Sequence, residues 1–395
     1  MGQTAKETVS LLITGDWVLT QNEAREVFHP GAVAIRGEEI VAAGPAAEIC
    51  ARFTPERRLD YPLGLIMPGL INAHTHAAMS LFRGLADAVA RAVDETGIRA
   101  VVGEVLYDFP SPNYGPPAAG LAFSEELCRT WQGHPRVSVA IQPHAVYTCS
   151  PNLLQECGEL ADKYDRRLII HLSETQQEVA DCEKRYGATP VAHLHRLGLL
   201  TNRLLADHAV VLTGADMELL AASGSGVAHC PESNMKLASG IAPVEELLQR
   251  SVAVGLGTDG CASNNNLDLV QEMDTAAKLQ KGRYLDPTVL PATATLDLAT
   301  RGSAKVLGLE GQVGTLGPGL KADVLVLDLD QPHLTPLYDP YSHLVYAAGG
   351  GDVQTVVVHG QVVVQDRRIL SFDLEETLAK TRELAKALGA VKLKY

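Results

Sequence analysis

Pro68-Gly69-Leu70-Ile71-Asn72-Ala73-His74-Thr75-His76 is an apolar run of strand length that ends in two histidines. Side chains alternate along a strand, so residues two apart point to the same side and their imidazoles can share one ion, as immediate neighbours cannot. The spacing alone is weak evidence, because His193-Leu194-His195 repeats it inside a helical stretch with no strand before it. Three further strand ends strengthen it. His171 closes Leu168-Ile169-Ile170 and is followed by Leu172-Ser173-Glu174, His208 follows Leu204-Leu205-Ala206-Asp207, and Asp259 ends Val254-Gly255-Leu256-Gly257-Thr258. Three neutral imidazoles and a carboxylate are borderline-soft donors suited to Zn²⁺ or Fe²⁺, with a coordination position left for water.

Outward from these ends, apolar runs alternate with helical stretches, as in repeating βα units around a parallel sheet. The predicted strands are residues 65–73, 98–106, 137–143, 167–172, 204–213, 225–230 and 252–258. Nearly all carry their polar residues at the C-terminal end, which forms the active-site face of a TIM-like barrel. The expected fold class is therefore α/β, a (β/α)8 TIM-like barrel with one strand missing, since closure needs eight and the sequence offers seven. Between His76 and Ile98 there is room for one helix only. A βα unit is expected to be absent between about Gly84 and Arg91, with Asp87-Ala88 close to the junction.

The two ends of the chain have a different texture. From Val9 to about Leu63, β-type runs at 10–14, 17–20, 32–36 and 40–43 alternate with turns such as Gly37-Glu38-Glu39, and the pattern returns after Gly314 at 323–328, 353–359 and 361–364. These ends are expected to form a small composite β-sandwich domain, residues 1–63 and 313–395, around a hydrolase barrel at 64–312. A terminal helix from about Asp373 to Leu388 reads as an amphipathic packing element.

Composition narrows the function. The chain has 46% apolar and 20% charged residues, as folded enzymes do. Its formal net charge of -14 disfavours nucleic acid and anionic membrane surfaces as partners and suits a small neutral or cationic molecule. Seven cysteines without a C-x-x-C pair suggest neither a disulfide framework nor a structural zinc site, so a reducing cytoplasm is the expected location. The run 11–19 is broken by Gly15 and Asp16, and no signal peptide or membrane span is expected. A homo-oligomer is common for enzymes of this size.

Residues 68–84 (PGLINAHTHAAMSLFRG), 171–175 (HLSET), 229–234 (HCPESN) and 257–269 (GTDGCASNNNLDL) resemble the amidohydrolase superfamily, and within it the branch of 5-methylthioadenosine/S-adenosylhomocysteine deaminases, which is ATZ/TRZ-like. The similarity covers nearly the whole chain. It implies that His74, His76, His171 and Asp259 hold one zinc per subunit, with Fe²⁺ as the alternative ion. It also implies that Glu174 is the proton shuttle meeting a ring nitrogen of the substrate, that His208 contacts the reacting water, and that His144, after Gln142-Pro143, contacts substrate. Asp259 would accept the water's proton. The implied reaction is loss of ammonia from 5′-methylthioadenosine, S-adenosylhomocysteine or adenosine, giving the inosine analogue.

The chemistry agrees with this reading. A divalent metal lowers the pKa of water from 15.7 towards roughly 7. Glu174, three residues after His171, lies on the following loop, where a general acid/base contributes roughly 10² to 10⁴ in rate. Another N-heterocycle, such as aminodeoxyfutalosine, a guanine-like base or a triazine, is the alternative substrate. A non-catalytic scaffold of the same fold is the alternative class, and retention of the four ligands and Glu174 argues against it. Neither H-x-E with P-C-x-x-C nor a phosphate loop is present. His193 and His195 are expected to be exposed on a helix, His29, His134, His333, His343 and His359 to lie in turns or the small domain, His229 to position neighbours, and Cys261 to pack. In the family an acidic residue touching the ribose hydroxyls belongs to the absent segment, so none here takes that role.

Overall fold

The computed structural model of the chain describes residues 6–76 and 86–389. Strand β1 (Glu7–Leu19) is continuous where the sequence suggested two short runs. At the apparent break, a Cβ on Gly15 would lie 2.9 Å from the Gly64 carbonyl oxygen. The glycine admits that approach, and the register slips between Gly15 and Trp17, so the chain passes as a bulge and not a turn. Strands β2 (Val27–Phe28) and β3 (Gly31–Arg36) pair antiparallel with β1, and β4 (Glu39–Pro45) with β3. Strand β5 (Phe53–Pro68) runs parallel to β1. It contains Pro55, Pro62 and the polar run Glu56-Arg57-Arg58, which hid it from pattern reading.

The central layer holds β6 (Ala100–Val102), β7 (Val105–Leu106), β8 (Val137–Val139), β9 (Gln142–Pro143), β10 (Leu168–Leu172), β11 (Leu204–His208), β12 (Gly226–His229) and β13 (Ala253–Leu256). Every pairing is parallel: β6 with β8, β7 with β9, then β10 to β13 in order. Bridges Ile141–Leu168 and Ala145–His171 join the β8–β9 stretch to β10. Segment 71–76 flanks β13, where the Ala73 N–H donates to the Leu256 carbonyl at 2.8 Å and those of Thr258 and Asp259 donate to the His74 carbonyl at 3.0 and 2.9 Å.

Alternation decides which side chains face inward. Leu168, Ile170 and Leu172 face the surrounding helices while Ile169 packs inside with Ala73, Leu205 and Ala228, which turns His171 inward too. On β11, Leu205 and Asp207 share the inner parity and His208 does not. A left-handed φ of 72° at His208 reverses the chain there and brings its ring to the inner group.

Among the described residues the central layer holds the strands named above and segment 71–76. Among the described residues no ladder joins segment 71–76 to β6 or β7. Asp87, Ala88 and Arg91 lie in the helix Ala86–Thr96, which buries Ala86, Ala90 and Val93, and Gly84 falls outside the described residues.

Strands β14 (Val324–Asp328), β15 (Val353–Val358), β16 (Gln361–Gln365) and β17 (Arg368–Ile369) return to the terminal domain. Hydrogen bonding joins both chain ends into one 9-stranded sheet in the order β17-β16-β15-β14-β5-β1-β3-β4, with β2 on β1. Leu65, Ile66 and Met67, expected in the barrel, are buried in this sheet opposite β14, which carries the terminal domain past residue 63 to Pro68. The last helix, Leu374–Gly389, forms where expected but does not pack as expected: Leu374, Leu378 and Leu384 are exposed. Among the described residues no helix is long and apolar enough to cross a membrane.

Ion pairs tie the terminal sheet to the central layer, Arg99–Asp323 and Arg25–Asp297 among them. Arg99, just before β6, places Nε 2.6 Å from Asp323 Oδ2 and Nη2 3.1 Å from Oδ1, and Asp323 Oδ1 also accepts the His359 N–H at 2.8 Å. Both side chains are largely buried. Removing the carboxylate would leave a guanidinium without its partner, so Asp323→Ala is expected to lower stability by about 3 kcal/mol. Urea denaturation checks this.

Candidate metal centre and active site

Three imidazoles are each fixed through one ring nitrogen. His74 Nδ1 lies 2.9 Å from Asp207 Oδ2, His171 Nδ1 donates to the His144 carbonyl at 2.8 Å, and His208 Nδ1 donates to Asn234 Oδ1 at 2.9 Å. Each bond leaves Nε2 as the nitrogen free to bind. His76 Nε2 is 3.2 Å from His171 Nε2 and 3.2 Å from Asp259 Oδ1, and His74 Nε2 is 3.5 Å from the same oxygen. The structure thus brings together His74, His76, His171 and Asp259, with His208 on the same side: one atom each of His74, His171 and His208, and of His74, His76 and Asp259, lie within 4.8 Å of one another.

Such an arrangement suits a divalent metal. His74 Nε2 is buried without a hydrogen-bond partner. Nitrogen lone pairs and a carboxylate repel unless a cation stands among them. Ligands about 2.1 Å from a tetrahedral ion are about 3.4 Å apart, close to the separations here. The local field points the same way. Burial by itself would lower the proton affinity of His74, but the Asp207 and Asp259 carboxylates push its pKa up to about 10. Burial would raise Asp259, yet the His74 and His76 imidazoles beside it hold it well below the usual carboxylate range. A pocket that holds a proton this strongly attracts a metal ion, which competes for the same lone pair.

The local backbone explains the placement. Asp259 has a φ of 62°. Its Oδ2 accepts from Ser233 Oγ at 2.6 Å and Ser263 Oγ at 2.7 Å, and its Oδ1 from the Gly260 N–H at 2.7 Å. Gly257 lets this strand approach segment 71–76, because a Cβ there would meet the His74 backbone nitrogen at 2.9 Å.

Glu174 lies at the same rim, accepting from Ser239 Oγ at 3.3 Å. Thr175, and not Glu174, caps the following helix Gln176–Tyr186. Beneath it sits Glu178, which the sequence reading missed: its two oxygens accept the N–H groups of Ser173 at 3.0 Å and Glu174 at 2.7 Å, and burial pushes its pKa up to about 7. A Glu three residues after a Thr helix cap was the available signal. Asp207, also missed as a partner for His74, could have been inferred from inner-face parity. His144 bonds Thr148 Oγ1 through Nδ1 at 2.9 Å, its ring 4.9 Å from that of His171, and burial followed by the charge of His76 lowers its pKa to about 4.

The other histidines divide. His229 is fully buried with neither ring nitrogen bonded, and burial followed by the charge of His208 lowers it to about 3. His193, expected to be exposed, is instead buried and stacked on Tyr186 at 4.0 Å, because its helix turns that face towards Tyr186, whereas His195 is exposed. His343, expected in a turn or the small domain, lies on the helix Pro340–Tyr346 within residues 313–395. Cys50, Cys128, Cys149, Cys157, Cys182 and Cys230 are free thiols, and Cys261 is partly buried.

Behind the site Glu272 is fully buried, accepting the Glu232 N–H at 3.2 Å and Asn264 Nδ2 at 2.5 Å. Burial, then the negative charge of Glu232, pushes it up to about 9. A carboxyl whose folded pKa lies above its unfolded value of about 4.3 contributes stability that is complete below that value and is lost as pH rises through about 9. Glu272→Gln cannot ionise, so its melting temperature is expected to gain on the parent's as pH rises across that window. Thermal melts in a pH series check it.

Comparison with known proteins agrees with this geometry. The amidohydrolase family model matches residues 85–363. A 5-methylthioadenosine/S-adenosylhomocysteine deaminase of Syntrophobacter fumaroxidans is 48% identical over 429 residues, covering 96% of this chain and 98% of the relative. One from Syntrophus aciditrophicus is 44% identical, covering 96% and 97%. The first alignment is longer than the 395-residue chain, so that relative carries residues with no counterpart here. Among solved structures, an adenosine deaminase from Xanthomonas campestris with bound zinc superposes with a TM-score of 0.95 at 35% identity, covering 98% of this chain and 100% of the other. Atrazine chlorohydrolase from Arthrobacter aurescens, complexed with zinc, gives 0.85 at 25%, covering 95% and 99%. With a family model over most of its length and relatives matched almost end to end, the chain belongs to the amidohydrolase family, in the branch of the 5-methylthioadenosine/S-adenosylhomocysteine deaminases.

Proposed function

We propose that this chain is a cytoplasmic zinc-dependent deaminase that releases ammonia from an adenine nucleoside, with His74, His76, His171 and Asp259 holding the ion. The observation that carries the reading is the convergence of these donors on the partnerless Nε2 of His74, with Glu174 at the same rim. When bound, zinc supplies Lewis acidity that makes water a competent nucleophile near neutral pH.

The chain's own groups supply the rest. In the hydrolysis, oxygen from water bonds to the amino-bearing ring carbon, the adjacent ring nitrogen is protonated, and the C–N bond breaks as the amine takes a proton and leaves as ammonia. Glu174 is the proton carrier, its backbone fixed by the Glu178 carboxylate. Asp259 takes a proton from water, and the serine hydroxyls on Oδ2 keep it aimed. His208, with Nδ1 committed to Asn234, offers Nε2 to orient the water. His144, uncharged near pH 7, bonds the substrate through Nε2.

Ammonia release by zinc-loaded protein from adenosine, 5′-methylthioadenosine and S-adenosylhomocysteine tests the reading, and silence on all three overturns it. Glu174→Gln is expected to lower kcat by roughly 10² to 10⁴ with zinc retained. Asp207→Asn should instead weaken zinc binding by roughly 10- to 100-fold, read by chelator competition.

A further inference from the structure

The helix Leu269–Tyr284 supplies none of the metal-site donors, yet one side chain in its first turn reaches towards them. Glu272 accepts the Glu232 N–H with Oε2 at 3.2 Å and Asn264 Nδ2 with Oε1 at 2.5 Å. The two segments it joins are distant in the chain: one begins the helix Pro231–Lys236 after β12, and the other is the loop after Asp259. Glu232 precedes Ser233 and Asn264 follows Ser263, and those two serines donate to Asp259 Oδ2 at 2.6 and 2.7 Å. A single carboxyl therefore grips the chain one residue away from each hydroxyl that aims Asp259.

Further bonds tighten the same two segments. Glu232 Oε2 accepts from Asn264 Nδ2 at 3.3 Å, and its Oε1 accepts from Thr275 Oγ1 at 3.2 Å, which lies one turn beyond Glu272 on the same helix face. Asn264 Oδ1 accepts the N–H groups of Asn266 and Leu267 at 3.1 and 2.8 Å. Glu272, Ser233 and Asn264 are all buried, where a satisfied polar network is rigid. Asp259 needs that rigidity, because its left-handed φ of 62° persists only where surrounding bonds over-determine it. Burial, then the charge of Glu232, raises the Glu272 pKa to about 9, so near neutral pH it holds both segments without adding charge behind Asp259.

We infer that Glu272 is a positioning residue for Asp259, acting through Glu232–Ser233 and Ser263–Asn264 to keep both hydroxyls on Oδ2 and Oδ1 turned to the imidazoles. This rests on the reading of Asp259 as metal ligand and proton acceptor. Glu272→Gln keeps the size and neutrality of the group and removes one of its two acceptors. It is expected to weaken zinc binding by roughly 10- to 100-fold in chelator competition, and to lower kcat with KM unchanged. Ser233→Ala combined with Ser263→Ala should give a loss of the same order, and adding Glu272→Gln to that pair should change little more, because residues that act through one another are not additive. Gln280→Met is the control. Gln280 is also fully buried on this helix, but it bonds the Ala242 carbonyl at 2.9 Å and the Glu245 N–H at 3.4 Å, so its loss should lower the melting temperature and leave zinc affinity as it was. Parent-like zinc affinity in Glu272→Gln, its full effect in the background lacking both serines, or an equal zinc loss in Gln280→Met overturns the proposal. The zinc measurement needs no turnover, so silence on every nucleoside overturns the deaminase reading alone.

Discussion

The site depends on mutual repulsion. Nitrogen lone pairs from separate strand ends are held 3.2 Å from one another and 3.2 to 3.5 Å from a carboxylate oxygen, which no folded chain tolerates without a cation to share or a network that forces the approach. Here the network is visible. Asp207, the His144 carbonyl and Asn234 each bind the far nitrogen of one ring, and two serines and a backbone N–H brace Asp259 from behind. Left-handed backbone at Ser173, His208 and Asp259 turns the strand ends towards the axis. Local strain of this kind persists only where surrounding bonds over-determine it.

The parts of this design that obey strand alternation could be read from residues alone. His171 closes an apolar run with clear parity, and the parallel order of the central strands followed from their spacing. The parts that break alternation could not. His208 faces inward through its left-handed φ, so the residues gave its place at a strand end and only the resemblance gave its role. Carboxylates that act on other residues, Asp207 and Glu178, carry only faint signatures: inner-face parity within an apolar strand for one, and a place three residues after a Thr helix cap for the other.

The terminal domain shows the opposite difficulty. Its hairpins were plain, but β5 was hidden by prolines and arginines because pairing on both sides, and not side-chain pattern, holds it in the sheet. Pattern also favoured packing for the last helix, whereas its leucines face solvent. Amphipathicity shows that a face could be covered, and says nothing about whether the chain itself covers it.

Because β5 ends at Pro68, only a few residues before His74, the sheet made by the two chain ends is mechanically in series with the segment that carries His74 and His76. Strand β14 clasps the last residues of β5, and the Gly69 N–H is anchored on the Asp323 carbonyl at 2.9 Å. Loosening the outer sheet would therefore be felt first as a wandering of His74 and His76 relative to Asp259. The outer sheet therefore sets the alignment of these side chains as well as covering the chain's two ends.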